Sequence, residues 1–410
     1  MGFYADSDLL QMQDIVTYDA PNAQGRGGAR HLSAVLPAVS AALGAPVSTR
    51  VHADAAGLQT ALGIPSARSV LVVLVDGLGF WNVVERKGHA PFLRSLLSDS
   101  ANSRPISSSF PTTTATALSV FGTGTCPGLT GMTGYSQINP ATRELSQMIK
   151  FTGGLDPLAV QTQPTVFEQL ANAGVRVTTA GLYQFKNSAL TQAALRGPKY
   201  ISGPNAEANA LAAAKATHTP GLTYLYIRDA DKMGHQYGWR DEHWVSAFET
   251  VDEQLRTVVS RAARGTLLII TADHGMISSN PDTRIDIAEH AELREGVDVV
   301  GGEPRAVALY AREGASTDEV NALAERWRDF LGSRALVYTK DEAIRAGLYG
   351  PGELMREDVR AYLGDILVLA TGDVTIVDSR VQTDMATRLP SVHGSLTKAE
   401  VDIPLFMDVL

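Results

Sequence analysis

Acidic, imidazole and hydroxyl side chains recur at five places where they could share one reaction. Asp76-Gly77 follows the apolar run Ser69–Val75, Asp229-Ala230-Asp231 with His235 follows the run 222–227, and Asp273-His274-Gly275 follows the run 266–271. Near the C-terminus His393 sits in Ser391-Val392-His393-Gly394-Ser395. A lone Asp after a strand is commonly a turn former or helix cap. Three such clusters, two of them pairing Asp with His, instead suit divalent cations, because carboxylate and neutral imidazole are the donors that zinc and related ions take. Asp231 and His235 share one face if they lie on a helical turn, and can converge on one ion from a loop as well. The adjacent pair Asp273 and His274 suits a tight strand-end turn, with Gly275 relieving backbone strain. The remaining polar cluster is 107–116, Ser-Ser-Ser-Phe-Pro-Thr-Thr-Thr-Ala-Thr, followed by helix formers. A hydroxyl there would sit at a helix N-terminus, where free N–H groups favour an anionic phosphate or alkoxide. The same residues read equally as a plain helix cap.

The elements that must carry these groups alternate. Continuous apolar, β-branched runs at 69–75, 176–182, 222–227 and 266–271 predict buried parallel strands. Helical patterns at 91–97, 166–173 and 243–262 lie between them. This predicts an α/β fold, a doubly wound, mostly parallel sheet with ligands at the carboxyl ends of its strands. From about 302 the texture changes: strand 306–310, amphipathic helix 317–331, then strand-like runs at 366–370 and 374–377. The expected organisation is an irregular N-terminal arm (1–30), a catalytic core (31–301 and 374–410) and an inserted α+β subdomain (302–373).

With 410 residues, 44% of them apolar and 19% charged, the chain has the composition of an ordinary globular enzyme. The net charge of −9 offers no field for a nucleic-acid polymer or an anionic membrane, so an anionic substrate would need a local positive centre such as a bound metal. The single cysteine, Cys126, excludes an internal disulfide. Met1 to Asp8 lacks the pattern of a secretory signal, and the run Leu32–Leu43 is too short to span a bilayer and reads as a core helix, so the expected location is cytoplasmic.

Taken in order, Asp-Gly after the first strand, Phe-Pro-Thr-x-Thr, Asp-x-x-x-His, Asp-His-Gly and a late His-Gly resemble the alkaline phosphatase superfamily. Within it they resemble most the nucleotide pyrophosphatase/phosphodiesterase branch, over residues 69 to 395. The resemblance implies an alkaline-phosphatase-like fold and two divalent metal ions, zinc first and manganese as the alternative. It implies Thr114 as nucleophile, through a phospho-threonine intermediate, with Gly124 in the matching register. It implies Asp231, His235 and His393 on one metal and Asp76, Thr114, Asp273 and His274 on the other. The pattern departs at Thr114-Ala115-Thr116-Ala117, which lacks the family's aromatic after the nucleophile. The Asn that contacts a phosphate oxygen in the family falls near Tyr135, leaving Thr113 and Tyr135 as the expected substrate contacts.

The expected activity is therefore phosphodiester or pyrophosphate hydrolysis of a small phosphate ester, a nucleotide among the options. A phosphomonoesterase or phosphonate hydrolase of the same superfamily stays open. So does, from another class, a non-catalytic metal-stabilised binding protein. Trp81-Asn82 either lines the site mouth or packs, and oligomeric state is not readable from these residues.

Overall fold

The computed structural model describes residues 4–18, 20–22 and 25–410. The very start of the chain, which bears on the signal expectation, and Gln24 of the expected arm lie outside the described residues.

The strands form where both faces can be buried. β1 (Ser69–Val75) is wholly buried along its length. β2 (Ser103–Ser107), β3 (Val177–Ala180), β4 (Lys199–Ile201), β5 (Gly221–Ile227) and β6 (Leu267–Thr271) follow, and after a second sheet the chain returns in a last long strand, Asp402–Val409. The order across the main sheet is β2, the last strand, β6, β1, β5, β3, β4. β1 pairs in parallel with β5 and β6, and β3 in parallel with β5 and β4. The last strand runs antiparallel between β6 and β2. The sheet is thus mostly parallel, and its central strands read as uninterrupted apolar runs because helices cover them.

Four helices support or carry the site. α1 (Leu32–Ala42) is almost entirely buried despite Pro37, and shares one apolar core with β1, β5 and β6. α2 (Thr114–Thr123) is buried throughout and ends at Gly124 in the left-handed region. α3 (Asp229–Tyr237) begins two residues after β5, and α4 (Glu242–Arg261) presents Trp244, Phe248, Val251 and Leu255 to the core. Each fully buried Val, Leu or Phe contributes roughly 1.5–3 kcal/mol relative to exposure. A charge at Val72 or Val73 would therefore break the layer on which the site rests.

The second sheet is built from β7 (Val297–Glu303), β8 (Ala306–Ala311), β9 (Ala335–Thr339) and β10 (Ile366–Ala370), in the order β7, β8, β10, β9, all antiparallel. It begins at Val297, ahead of residue 302. α5 (Thr317–Leu331), started by a reciprocal Ser316–Glu319 cap, lays Leu323 and Trp327 on this sheet, and the two share a separate apolar core. With the last main-sheet strand numbered β11 (Asp402–Val409), Val374–Val377 is the one strand-like run of this region that joins neither sheet: only Ile376–Val377 pairs, with Ile285–Asp286. A small hairpin, Ser136–Ile138 with Leu145–Gln147, leans on β7, Ser136 Oγ donating to the Gly302 carbonyl at 3.0 Å. The two cores are joined by a buried ion pair. Arg305, in the turn between β7 and β8, donates to both carboxylate oxygens of Glu400 at 3.2 and 2.9 Å. Among the described residues no helix is long and apolar enough to cross a membrane.

Candidate metal centre and nucleophile

Asp76, Asp231, Asp273 and His274 converge because β1, β5 and β6 lie side by side and end together. The Asp76 N–H donates to the Ile227 carbonyl at 2.8 Å, and the Asp231 N–H donates to the Asp76 carbonyl at 3.1 Å. The turn after β1 needs glycine. Gly77 has φ of 70°, and a Cβ there would lie 2.8 Å from the Asp231 Cα. Its N–H instead donates to Asp273 Oδ1 at 3.0 Å, which ties the first strand end to the third. Gly275 is required for a similar reason, since a Cβ would fall 2.0 Å from the Ala399 carbonyl oxygen.

Thr114 opens α2, with Thr113 as an extended cap residue whose side chain makes no cap bond. The Thr114 hydroxyl is 3.2 Å from His274 Nε2 and 3.4 Å from Asp76 Oδ1. Thr112 fixes the late histidine loop: its hydroxyl donates to the Ser395 carbonyl at 2.8 Å and accepts from the Gly394 N–H at 3.0 Å.

The hydrogen bonds also determine which ring nitrogens are bare. His235 Nδ1 faces the Ser391 carbonyl at 2.9 Å, His393 Nδ1 the Thr112 carbonyl at 2.7 Å, and His274 Nδ1 the Gly275 carbonyl at 3.1 Å. A carbonyl only accepts, so each Nδ1 carries the proton and each Nε2 presents a lone pair. Two of these lone pairs, on His235 and His393, confront each other at 3.2 Å. Asp231 Oδ1 lies 3.3 Å from the first and 3.7 Å from the second. It is buried without a hydrogen-bond donor, as is Asp273 Oδ2. His274 Nε2 lies 3.6 Å from both Asp76 Oδ1 and Asp273 Oδ2. Lone pairs facing lone pairs and carboxylates without donors describe a place shaped for cations, so the donor set fits divalent metal.

Two overlapping groups have metal-ligating geometry: Asp231, His235 and His393, and Asp76, Asp231 and His274. Asp231 belongs to both. Asp229, its rival in sequence, belongs to neither. Asp273 spends Oδ1 on the Gly77 and His274 N–H groups and turns Oδ2 toward His274.

The electrostatics agree with that shape. Burial, and then the charges of Asp273 and Asp231, push the Asp76 carboxyl well above its usual range, while the Tyr226 hydroxyl donating to Asp76 Oδ2 works the other way. Burial beside His274 and His235 pulls the His393 imidazole well below its usual value. A site that resists both carboxylate charge and imidazolium charge when alone is relieved by a multivalent cation.

Some participants carry no signal in the sequence. Glu303, at the end of β7, lies 3.5 Å from His393 Nδ1. Burial raises its carboxyl well above the ordinary range, with the Thr113 hydroxyl and the Tyr135 N–H partly offsetting this. Gly-Gly-Glu-Pro at 301–304 reads as a turn, and only the pairing of β7 with β8 aims that carboxyl at His393. Tyr226 lies inside the apolar run of β5, where alternation alone turns its hydroxyl to Asp76.

Thr113, Thr114, Tyr135, Asp231, His235, Glu303 and His393 all border one cavity of about 550 Å³. Trp81 and Asn82 do not border it. The Trp81 indole donates to Asp402 Oδ2 at 2.6 Å, and Asn82 bonds both backbone groups of Met276, so they pack. Arg104 and Lys150 do not border it either. His89, His218, His243 and His290 find partners elsewhere, in Glu249, the Arg261 carbonyl, Asp241 and Glu292.

Comparison with known proteins places this geometry among relatives. The family described as type I phosphodiesterase / nucleotide pyrophosphatase matches residues 70–395. Human ectonucleotide pyrophosphatase / phosphodiesterase 5 superposes with a TM-score of 0.65 at 16% identity, over 83% of this chain and 87% of that one. Phosphonoacetate hydrolase from Sinorhizobium meliloti, in complex with phosphonoacetate, superposes with a TM-score of 0.61 at 20% identity, over 84% of this chain and 90% of that one. These two show the shared fold. A phosphopentomutase of Anaeromyxobacter dehalogenans is 30% identical over 146 residues, 33% of this chain. The match spans only 35% of the length of that curated relative.

Proposed function

This chain belongs to the type I phosphodiesterase / nucleotide pyrophosphatase family, and from that membership we propose that it is a two-metal phosphodiester or pyrophosphate hydrolase acting through a covalent phospho-threonine on Thr114. The observation that carries the proposal is the pair of bare imidazole nitrogens, His235 and His393, 3.2 Å apart beside an unpaired Asp231 oxygen, in the same cavity as the Thr114 hydroxyl.

Asp231, His235 and His393 would hold one ion, and Asp76, Thr114, Asp273 and His274 the other, with the Asp231 carboxylate within reach of both. When bound, these ions, zinc by the oxygen and nitrogen donor set with manganese as the alternative, supply the Lewis acidity that lowers the pKa of the Thr114 hydroxyl and neutralises charge on the phosphoryl oxygens. The chain's own residues do the rest. The start of α2 aims free backbone N–H groups at an anion, and Thr113 and Tyr135 border the same space as candidate contacts to the phosphoryl group. Thr114 Oγ loses its proton to solvent and bonds to phosphorus. The bond from phosphorus to the departing ester oxygen breaks, and that oxygen leaves with the electron pair and is protonated by solvent. Water then attacks the phospho-threonine, its oxygen bonding to phosphorus as the bond to Oγ breaks, and Thr114 regains a proton. The sum is diester plus water giving monoester plus alcohol.

The charged residues bordering the cavity are all acidic. This favours a singly charged diester over a doubly charged monoester, which would call for an added cation. The same reading divides the chain into an arm (1–30), a catalytic core (31–301 and 374–410) and an inserted subdomain (302–373); the apolar core of the second sheet reaches beyond those bounds, to Ile285, Ile287, Leu293, Val374 and Ile376.

The test is a direct assay of zinc-loaded protein on bis-p-nitrophenyl phosphate beside p-nitrophenyl phosphate, repeated after chelation. Faster, chelator-sensitive release from the diester is expected. Thr114→Ala should lower turnover by at least about a thousandfold while metal content stays near wild type. Wild-type turnover in that variant would remove Thr114 from the mechanism. Metal binding without activity on any ester would leave a metal-stabilised binding protein.

A further inference from the structure

The cavity that opens on Thr114 has two unlike halves. One is the polar cluster just described. The other is an aliphatic wall made by three separate parts of the fold. Leu145 and Ile149 come from and just beyond the small hairpin, Val300 from β7, and Val377, Val381 and Leu389 from the segment leading to His393. Ile149 is 36% exposed and Val381 68% exposed, so the wall runs out to solvent.

Its charge pattern is one-sided. Among the described lining residues there is no Lys and no Arg, and Tyr135 is the one aromatic. The acidic lining residue that neighbours the wall in sequence, Asp378 beside Val377 and Val381, is already matched: Arg380 donates to its two carboxylate oxygens at 2.8 and 2.6 Å. The wall therefore offers a substrate no free charge. A second phosphate or a carboxylate would find no cationic partner there. A nucleobase would find a single ring where stacking recognition uses flat aromatic faces. The remaining lining side chains near the wall, Ser136, Gln147, Thr152 and Gln382, are neutral and polar. A cavity of about 550 Å³ is far larger than a phosphoryl group needs and has the size of a small-molecule site.

Resting on the diesterase reading above, we propose that the substrate is a phosphodiester carrying an uncharged aliphatic group, and that the wall of Leu145, Ile149, Val300, Val377, Val381 and Leu389 selects it over nucleosidyl and carboxylated esters. Apolar surface leaving water is the source of that selection, and it grows with chain length until the wall is covered.

The experiment uses zinc-loaded full-length protein and a series of alkyl p-nitrophenyl phosphates (methyl, butyl, octyl) beside thymidine 5′-p-nitrophenyl phosphate. All release the same chromophore. kcat/KM should rise along the alkyl series by about threefold to fourfold per added methylene over the first few carbons, the factor that one buried CH₂ provides. The thymidine ester should fall below the butyl ester. Val381→Glu, at the solvent edge of the wall, should lower kcat/KM for the octyl ester at least tenfold more than for the methyl ester. A flat alkyl series, a faster thymidine ester, or a Val381→Glu effect equal on methyl and octyl esters would overturn the selection while leaving the diesterase intact. Failure to hydrolyse any of the esters would overturn both.

Discussion

The two overlapping ligand groups are built by different means. The deep one, Asp76 and His274 with Thr114 and Asp273 beside them, stands on strand ends and a helix start, and is buried at every position. The outer one places Asp231 and His235 on one face of α3, four residues apart, and borrows His393 from a distant loop. The His235 side chain keeps 29% of its surface. Backbone geometry fixes the deep group before any ion arrives, at the expense of crowding carboxylates that repel one another. The outer group is mainly imidazole, carries less repulsion and stands closer to water. A rigid anionic pocket should hold its ion slowly and tightly, and a half-open imidazole pocket should exchange it.

Asp231 is where the comparison breaks most sharply, since its carboxylate lies within reach of both groups. Asp231→Asn should empty both, so that metal per chain approaches zero and turnover falls by about a thousandfold or more. His235→Gln should spare the deep ion and leave near one per chain. Elemental analysis of the dialysed proteins measures both, and an Asp231→Asn protein that kept both ions would show that the groups do not share this side chain. A smaller effect isolates the deep group alone. Tyr226→Phe removes the hydroxyl that orients Asp76, and should weaken that ion about 10- to 100-fold with the outer ion unchanged. Competition with a chromogenic chelator separates the two affinities, and equal weakening would place Tyr226 outside the deep group's control.

The smallest expected effect comes from a control outside both groups. His31 and His52 flank Ser33, at 2.8 and 2.7 Å from its hydroxyl, and burial pulls them to about 3 and about 4 respectively. Both lie below the ordinary histidine value, so the unfolded chain takes up protons first as pH drops. The stability linked to them is full above about 6.5 and is lost as pH falls from there toward 4. In His52→Gln the unfolding free energy from urea titration should decline less over that window, by roughly 1–3 kcal/mol, with or without chelator. A chelator-dependent difference would show that the pair is coupled to the metal groups after all.

How much the sequence reveals depends on how many constraints act on one residue. β1 was legible because a parallel strand covered on both faces must be apolar at every position, and Asp76 because polarity returns abruptly where that cover ends. α1 was legible through Pro37, since the rest of the segment is apolar enough to bury. β11 was not, because Asp402, Pro404 and Asp408 interrupt its apolar run, and its place between β2 and β6 is a property of the whole sheet. Glu303 and the double use of Asp231 were hidden for the same reason: each depends on a register or a crossing between segments far apart in the chain. Val374–Val377 had a strand's composition, yet only its last two residues found a partner strand. Residue type announces chemistry, while tertiary register decides which atoms meet.

The Arg305–Glu400 pair adds a buried charge contact between regions that also share apolar packing, Ala306 and Leu369 of the second sheet against Leu396 and Val401. Glu400 also accepts from the Ser395 N–H at 2.9 Å and from the Thr397 hydroxyl at 2.5 Å, so it anchors the chain just after His393. Arg305 lies two residues beyond Glu303, in the turn that closes one edge of the cavity. The second sheet is therefore bolted to the loop that carries His393 and is no detachable cassette. A lineage that reshapes this side of the cavity must keep that bolt, or move His393 along with it.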